Sequence, residues 1–155
     1  MKLYTRIYGK SYTKEDLAVI AKHIGVKTGM DSVTGAGWDG YNKHVIIEGT
    51  LKGKPHKYWV SPTELSGYPV PSRQGATPVC KNMHGEYYHD ELEEFAKYVA
   101  SSICRGKYIK YAVDKHGGTI TIIYKYGKSI LPSKIDYSMY DLEKFLVKQH
   151  GGIVK

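Results

Sequence analysis

Arginine, cysteine, phenylalanine and tryptophan are all scarce in this chain of 155 residues. Its only arginines are Arg6, Arg73 and Arg105. Because arginine is the side chain that best reads guanine edges with two hydrogen bonds, its scarcity argues against base-specific recognition of nucleic acid. The only cysteines, Cys80 and Cys104, are too few for a disulfide-stapled secreted domain, so we expect a reduced, cytoplasmic protein.

Long hydrophobic runs are also missing. No stretch approaches the roughly 20 apolar residues that cross a bilayer, so we expect no membrane association. Hydrophobic residues make up 41% of the chain and charged residues 25%, which is typical of a globular protein. The length predicts a single domain over residues 1–155.

Tyrosine and lysine, by contrast, are abundant. The chain has 15 tyrosines and a net charge of +8, and many tyrosines follow or precede a lysine. A tyrosine ring suits half-buried faces and contact surfaces, and a basic surface attracts polyanions. Between Arg105 and Lys134 the basic residues are opposed by Asp114 alone. This composition favours a surface that binds an anionic partner.

Periodicity predicts an α+β fold. Alternation over 2–8 indicates a half-buried strand, and further strands are predicted at 44–50, 55–60, 107–114 and 119–126. Helices are predicted after the N-cap Thr13 as far as Gly25, over 90–104 and over 138–150. The order is β-α-β-β-α-β-β-α, with about five strands in one antiparallel or mixed sheet and about three helices packed on it.

Two segments carry no regular pattern. Residues 27–42 are rich in glycine and are interpreted as irregular. Residues 61–85 hold four prolines and are interpreted as a long Pro/Gly-rich loop. Because loops of that length are uncommon in compact domains and are often functional, we expect a binding loop or lid there.

Strand parity selects the candidate site residues. In the first strand Tyr4, Arg6 and Tyr8 share the face opposite Ile7, and in the hairpin Tyr108 and Lys110 share the face opposite Tyr111. Tyrosine rings on a solvated sheet face can stack nucleic-acid bases. The predicted ligand-binding residues are Tyr4, Arg6, Tyr8, Lys10, Arg105, Lys107, Tyr108, Lys110, Lys125 and Lys128.

Two sequence patterns resemble phosphate-binding motifs but lack other features that those motifs require. Residues 35–40 fit G-x-G-x-x-G, but a strand is expected after them, whereas a dinucleotide site needs a helix there. Tyr-Gly-Lys-Ser occurs at 8–11 and at 126–129, without the earlier glycine that a Walker A loop requires. The four-residue repeat is too short to establish a duplication.

Metal and catalytic patterns are equally incomplete. Cys80, His84, His89 and Cys104 cannot all meet, since the last two lie at opposite ends of one predicted helix. No metal or other cofactor is expected. No signature surrounds Cys80, so catalytic residues stay unassigned and enzymatic activity stays an open question.

The sequence therefore favours a non-catalytic protein that binds nucleic acid or a nucleotide-type ligand through a Lys/Tyr-rich surface. One alternative is a small inhibitor or adaptor that binds another protein, of the kind found among phage and mobile-element accessory proteins. A second alternative is a hydrolase that uses Cys80 or a histidine from the long loop. The oligomeric state is not predicted.

Overall fold

The chain runs through one series of elements twice. The computed structural model describes residues 4–114 and 116–153. The first series comprises β1 (Tyr4–Ile7), β2 (Lys10–Thr13), α1 (Lys14–Lys27), β3 (Ser32–Asp39), β4 (His44–Leu51), β5 (Lys54–Val60) and α2 (Pro62–Ser66), followed by a 3-10 turn (Pro71–Arg73). The second comprises β6 (Cys80–Asn82), β7 (Gly85–Tyr87), α3 (His89–Tyr98) with a π-helical turn (Val99–Ile103), β8 (Lys107–Val113), β9 (Thr119–Lys125), β10 (Ser133–Ser138) and α4 (Met139–His150). A last strand, β11 (Gly152–Ile153), follows.

These elements form two compact units. The first unit is Met1–Ala76 with His150–Lys155, and the second unit is Thr77–Gln149. In the first unit β1 lies between β2, antiparallel, and β11, parallel, while β3, β4 and β5 form an antiparallel meander. In the second unit β6 and β7 form a hairpin, and β8, β9 and β10 form another antiparallel meander. The prediction of a single domain over 1–155 stays a prediction.

The two series agree in spacing as well as in order. Their long helices begin at Lys14 and His89, and their central meander strands begin at His44 and Thr119, an interval of 75 residues from 14 to 89 and from 44 to 119. At the serines that precede the closing helices, Ser61 and Ser138, the interval is 77 residues. It is longer there because the β9–β10 connection is longer than the β4–β5 connection. The structure thus contains an internal repeat of a hairpin, a helix, a meander and a helix.

The same positions are buried in both units. The buried pairs, first unit before second, are Tyr12/Tyr87, Leu17/Leu92, Ile20/Phe95, Ala21/Ala96, Ile24/Val99, Val45/Ile120, Ile47/Ile122 and Leu65/Leu142. The long helix of each unit turns one apolar stripe onto the inner face of its meander, as its spacing dictates. Burial of a leucine or isoleucine side chain contributes about 1.5–3 kcal/mol, so these positions dominate the stability of each core.

Helix α1 is fixed at its start by a reciprocal cap. The Thr13 Oγ1 accepts a hydrogen bond from the Asp16 amide at 3.0 Å, and Asp16 Oδ2 accepts one from the Thr13 amide at 2.9 Å. The predicted N-cap at Thr13 is therefore confirmed. The predicted stop at Gly25 is wrong, since α1 continues to Lys27 and Gly25 is buried against the Val33 side chain.

The α+β class is confirmed, but the predicted single sheet of about five strands is not what the structure has. The described residues form several small sheets with more strands than predicted. The elements that were not predicted from the sequence are β2, β3, β6, β7, β10, β11 and α2. The segment 61–85, expected as one irregular loop, contains α2, the 3-10 turn and β6. Three-residue strands are too short to show alternation, and glycine in β3 hides a strand that pairing with β4 stabilises.

Within the described residues, no helix combines the length and the apolar character that crossing a membrane requires.

Asp16 is a buried carboxylate of the first unit that accepts several hydrogen bonds. Besides Thr13 it accepts hydrogen bonds from the Ser72 amide and the Ser72 hydroxyl, each at 2.8 Å, and only 2% of its surface is exposed. Replacing it leaves three donors without their acceptor, and a hydrogen bond to a charged group contributes about 1.5–3 kcal/mol.

We therefore expect Asp16→Ala to lower the free energy of unfolding by about 3 kcal/mol, measured by urea denaturation. The matched control is Glu15→Ala, which removes the same charge from an exposed neighbouring position and should cost less than about 1 kcal/mol. Equal losses in the two variants would contradict the proposed role of Asp16.

Candidate nucleic-acid interface

The outer face of the second unit's meander is rich in lysine. Its inner face packs on the core through Tyr111, Val113, Ile120, Ile122 and Ile135. The residues that alternate with these lie on the outer face: Lys107, Lys110, Ala112, Thr121, Ile123, Lys125, Lys134 and Asp136. We call Lys107, Lys110, Lys125 and Lys134 the lysine face.

The four lysines are cross-strand neighbours. Lys107 pairs directly with Lys125, while Lys110 and Lys134 flank Ile123 on either side. Neighbouring strands are about 4.8 Å apart, so the backbones at Lys110 and Lys134 are about 10 Å apart, and Lys125 lies about 7 Å further along β9 than Ile123. All four side chains are exposed.

Little negative charge offsets this face. Among the described residues none of the four lysines forms an ion pair. Asp136, on the same face, accepts a hydrogen bond from the Thr121 hydroxyl at 2.6 Å. Like charges directly opposite each other destabilise a sheet, so the Lys107–Lys125 pair reduces the stability of the meander.

A β-bulge at Ile109 overturns the predicted parity of β8. The register shifts between Tyr108 and Lys110, so that Tyr108 pairs with Tyr124 and Lys110 with Ile123. The extra residue turns Tyr108 toward the core, where it packs with Tyr111, and leaves Ile109 45% exposed. The prediction that Tyr108 lies outward beside Lys110 is wrong. Lys110 and Lys125 lie outward as the alternation predicts, and the bulge brings Lys107 to the same face.

The tyrosines of this meander belong to its buried side. Burial raises the pKa of the Tyr108 hydroxyl above its ordinary value, with the Glu93 carboxylate adding to the shift. Burial also raises the pKa of Tyr111, whose hydroxyl is 2.7 Å from His89 Nδ1. These rings therefore complete the core and leave no aromatic platform for base stacking on the lysine face.

The predicted residues of the first strand fall in the other unit. Tyr4 is half-buried and stacks on His150, with ring centroids 3.7 Å apart. Arg6 is fully buried, and its Nη1 donates a hydrogen bond to the Ser11 hydroxyl at 3.0 Å. The expectation that Arg6 points outward is wrong, because its side chain is enclosed within the first unit, where the Ser11 hydroxyl accepts its hydrogen bond. Tyr8 packs against the core, and Lys10 Nζ donates to the Ser66 carbonyl at 3.2 Å.

Two further predicted residues flank the lysine face in the chain. Arg105 is exposed and has a positive φ of 52° in the turn between the π-helical turn and β8. Lys128 is exposed in the connection between β9 and β10. The prediction omitted Lys134, since β10 was not recognised as a strand; its pairing with β9 brings this lysine to the same face.

The equivalent face of the first unit has a different character. There Lys57 occupies the position of Lys134 and forms an ion pair with Glu48 at 3.6 Å. Trp59 is 48% exposed beside His44, and Gly35 replaces Lys110. The concentration of lysine is therefore a property of the second unit and not of the repeat itself.

The cysteines and histidines considered as metal ligands or catalytic groups, Cys80, His84, His89 and Cys104, all lie in the second unit. Cys80 and Cys104 are not joined in a disulfide, and both pack at the edge of the second core. The ring centroids of His84 and Tyr140 are 5.4 Å apart, and His89 Nε2 lies 3.3 Å from Glu93 Oε2. Over residues 4–114 and 116–153, no three His, Cys, Asp or Glu side chains are grouped to hold a metal ion. The hydrolase alternative stays a prediction.

The chain matches no protein-family model, no curated protein and no solved structure.

The half-buried Tyr108, whose hydroxyl has a raised pKa, predicts a loss of stability in alkali. Because its pKa is raised in the folded protein, its contribution is fully present below the ordinary value of 10.0 and is lost as the pH rises through the folded value. Between about pH 9 and pH 11 the free energy of unfolding should therefore fall less in Tyr108→Phe than in the unaltered protein. Urea denaturation at each pH measures this, and parallel profiles would contradict it.

The opposed pair Lys107–Lys125 predicts a substitution that stabilises the fold. Lys107→Glu converts repulsion into attraction and should raise the free energy of unfolding by about 0.2–1 kcal/mol at low salt. The control is Lys22→Glu, the same change of charge at an exposed position of α1. If both variants gain equally, the gain reflects net charge and not the cross-strand pair.

Proposed function

We propose that this protein binds the phosphate backbone of duplex nucleic acid through the lysine face of its second unit. The observation that carries the proposal is the arrangement of Lys107, Lys110, Lys125 and Lys134 on one exposed face without ion-pair partners among the described residues. A protein retains surface charges that lower its stability where function requires them. Phosphates of a bound polyanion relieve the repulsion between Lys107 and Lys125.

The composition of the face favours contacts with the backbone over contacts with bases. It carries no aromatic ring for stacking unpaired bases, and lysine acts as a point charge with little geometric selectivity. Lys110 and Lys134 flank a separation of about 10 Å, comparable with the major groove of about 12 Å, so their flexible side chains can reach phosphates on both edges of a groove. Binding should therefore depend weakly on sequence and steeply on salt.

A second candidate, binding to a protein partner, is favoured by the connection between β9 and β10. Tyr126, Ile130 and Leu131 are 59%, 88% and 75% exposed there. Exposed apolar side chains grouped in one loop are a feature of protein interfaces, although lysine is depleted at such interfaces. Such an interface would depend on salt less steeply than binding to phosphates does.

The decisive measurement is the affinity for a 24-base-pair DNA duplex of arbitrary sequence, followed by fluorescence anisotropy between 50 and 200 mM KCl. With about four phosphate contacts, the slope of log K against log salt should be about −3.6, so affinity falls roughly 100-fold over this range. Lys110→Gln/Lys125→Gln removes two contacts and should bring the slope to about −1.8.

The control, Lys22→Gln/Lys148→Gln, removes the same charge from exposed positions on α1 and α4 and should leave the slope unchanged. Undetectable binding of the duplex at 50 mM KCl would overturn the proposal. An identical effect of the two double variants would also overturn it, since attraction would then follow net charge alone.

A further inference from the structure

The first unit contains an open cavity of about 600 Å³ between α1 and the segment that follows α2. Its apolar walls include Val19 and Ile20 from the helix and Tyr68 and Pro71 from the segment. Cavities of about 300–1,000 Å³ with mainly apolar walls and a few polar groups are typical of sites for small molecules.

One wall of this cavity is fixed in place. Pro71 opens the 3-10 turn, and the next residue, Ser72, donates both its amide and its hydroxyl hydrogen to the Asp16 carboxylate at 2.8 Å. Because Asp16 is at the same time the buried cap of α1, the turn and the helix are held together. The cavity is therefore preformed, which reduces the entropy that a ligand would have to overcome.

The repeat shows which side chains of the second unit occupy the positions equivalent to the cavity walls. There α4 is long enough to lay Phe145 on Tyr98, with ring centroids 4.8 Å apart at 28°, and Phe145 also contacts Phe95 at 5.2 Å. At the equivalent positions of the first unit are Tyr68, His23 and Ile20, and all three line the cavity. The smaller side chains of Ile20 and His23 and the short α2 thus leave space where the second unit has a cluster of aromatic rings.

The charge on the cavity wall is positive and comes from Lys27. His23 and Lys27 are one helical turn apart on α1, and Gln74 adds an amide, while no carboxylate lines the cavity. A ligand that fits therefore offers an aromatic ring to the apolar walls and a negative group to Lys27.

We propose that this cavity is a binding site for a small planar aromatic carboxylate. The ring lies against Ile20, His23 and Tyr68, and it occupies space that the larger rings of Phe95 and Tyr98 fill in the second unit. The carboxylate faces Lys27 and the Gln74 amide. The site does not depend on the lysine face, which belongs to the other unit.

The test uses 2-naphthoate as probe, titrated into the full chain and followed by amide chemical shifts. A ligand of this size should bind with a dissociation constant on the order of 1 mM, with shifts confined to residues 19–27 and 68–74. Its neutral analogue 2-naphthylmethanol should bind about 3- to 5-fold more weakly, because the attraction of an exposed lysine is modest.

Two variants test separately the space for the aromatic ring and the attraction of the carboxylate. His23→Tyr introduces the residue of the second unit and should weaken both probes about 10-fold by filling the space. Lys27→Met should abolish the preference for the carboxylate and leave 2-naphthylmethanol unaffected, whereas Lys22→Met, outside the cavity on the same helix, should change neither.

Equal binding of the two probes to the unaltered protein would overturn the proposal. So would shifts that map to residues 107–134, which would mean that the probe reports only the charge of the lysine face. Neither outcome bears on binding of the DNA duplex, so the two proposals fail separately.

Discussion

A single extra residue in the first strand of each meander determines which side chains reach the core. The bulge follows the second residue of the strand in both units, at Thr34 in β3 and at Ile109 in β8. Without it, the alternation of β8 would direct Tyr108 to solvent and Ile109 inward. With it, Tyr108 and Tyr111 both face the helix, and the lysines on either side of them share the opposite face. Core and charged surface therefore depend on the same local irregularity.

The two units keep one skeleton and have diverged on its surfaces. The N-cap serine before the closing helix recurs as Ser61 and Ser138, each accepting a hydrogen bond from the amide three residues later, at 3.1 Å. What differs is the use of space and charge. The second unit fills the groove beside its long helix with aromatic rings and accumulates lysine on its sheet. The first unit neutralises its sheet face and leaves its groove open. The proposed DNA-binding face thus consists of lysines that the first unit lacks, and the proposed cavity lies where the second unit has aromatic rings.

Long periodic segments were predictable, and short or glycine-rich ones were not. The stripe of Leu17, Ile20 and Ile24 and the alternation of β9 follow directly from the spacing of apolar residues, so the long helices and central strands were located to within a few residues. The hairpin strands are too short for such a signal, and the pairing partner of β3 lies outside any local window. The repeat was not recognised because its identities, such as Tyr12/Tyr87, Leu17/Leu92 and Ala21/Ala96, are few and are separated by positions that differ. The Tyr-Gly-Lys-Ser pair, by contrast, occupies non-equivalent turns.

The strand β11 pairs with β1 of the first unit, although it follows the whole second unit in the chain. Its pairing places Gly152 opposite Arg6, where a larger side chain would collide with the Arg6 backbone. On the ribosome, synthesis of the whole second unit separates β1 from this partner. The second unit can therefore complete its hydrogen-bonded structure first, while the unit that emerged earlier waits with an open strand edge. A nascent chain stalled before residue 150 would therefore expose the unpaired edge of β1 as a template for unwanted pairing.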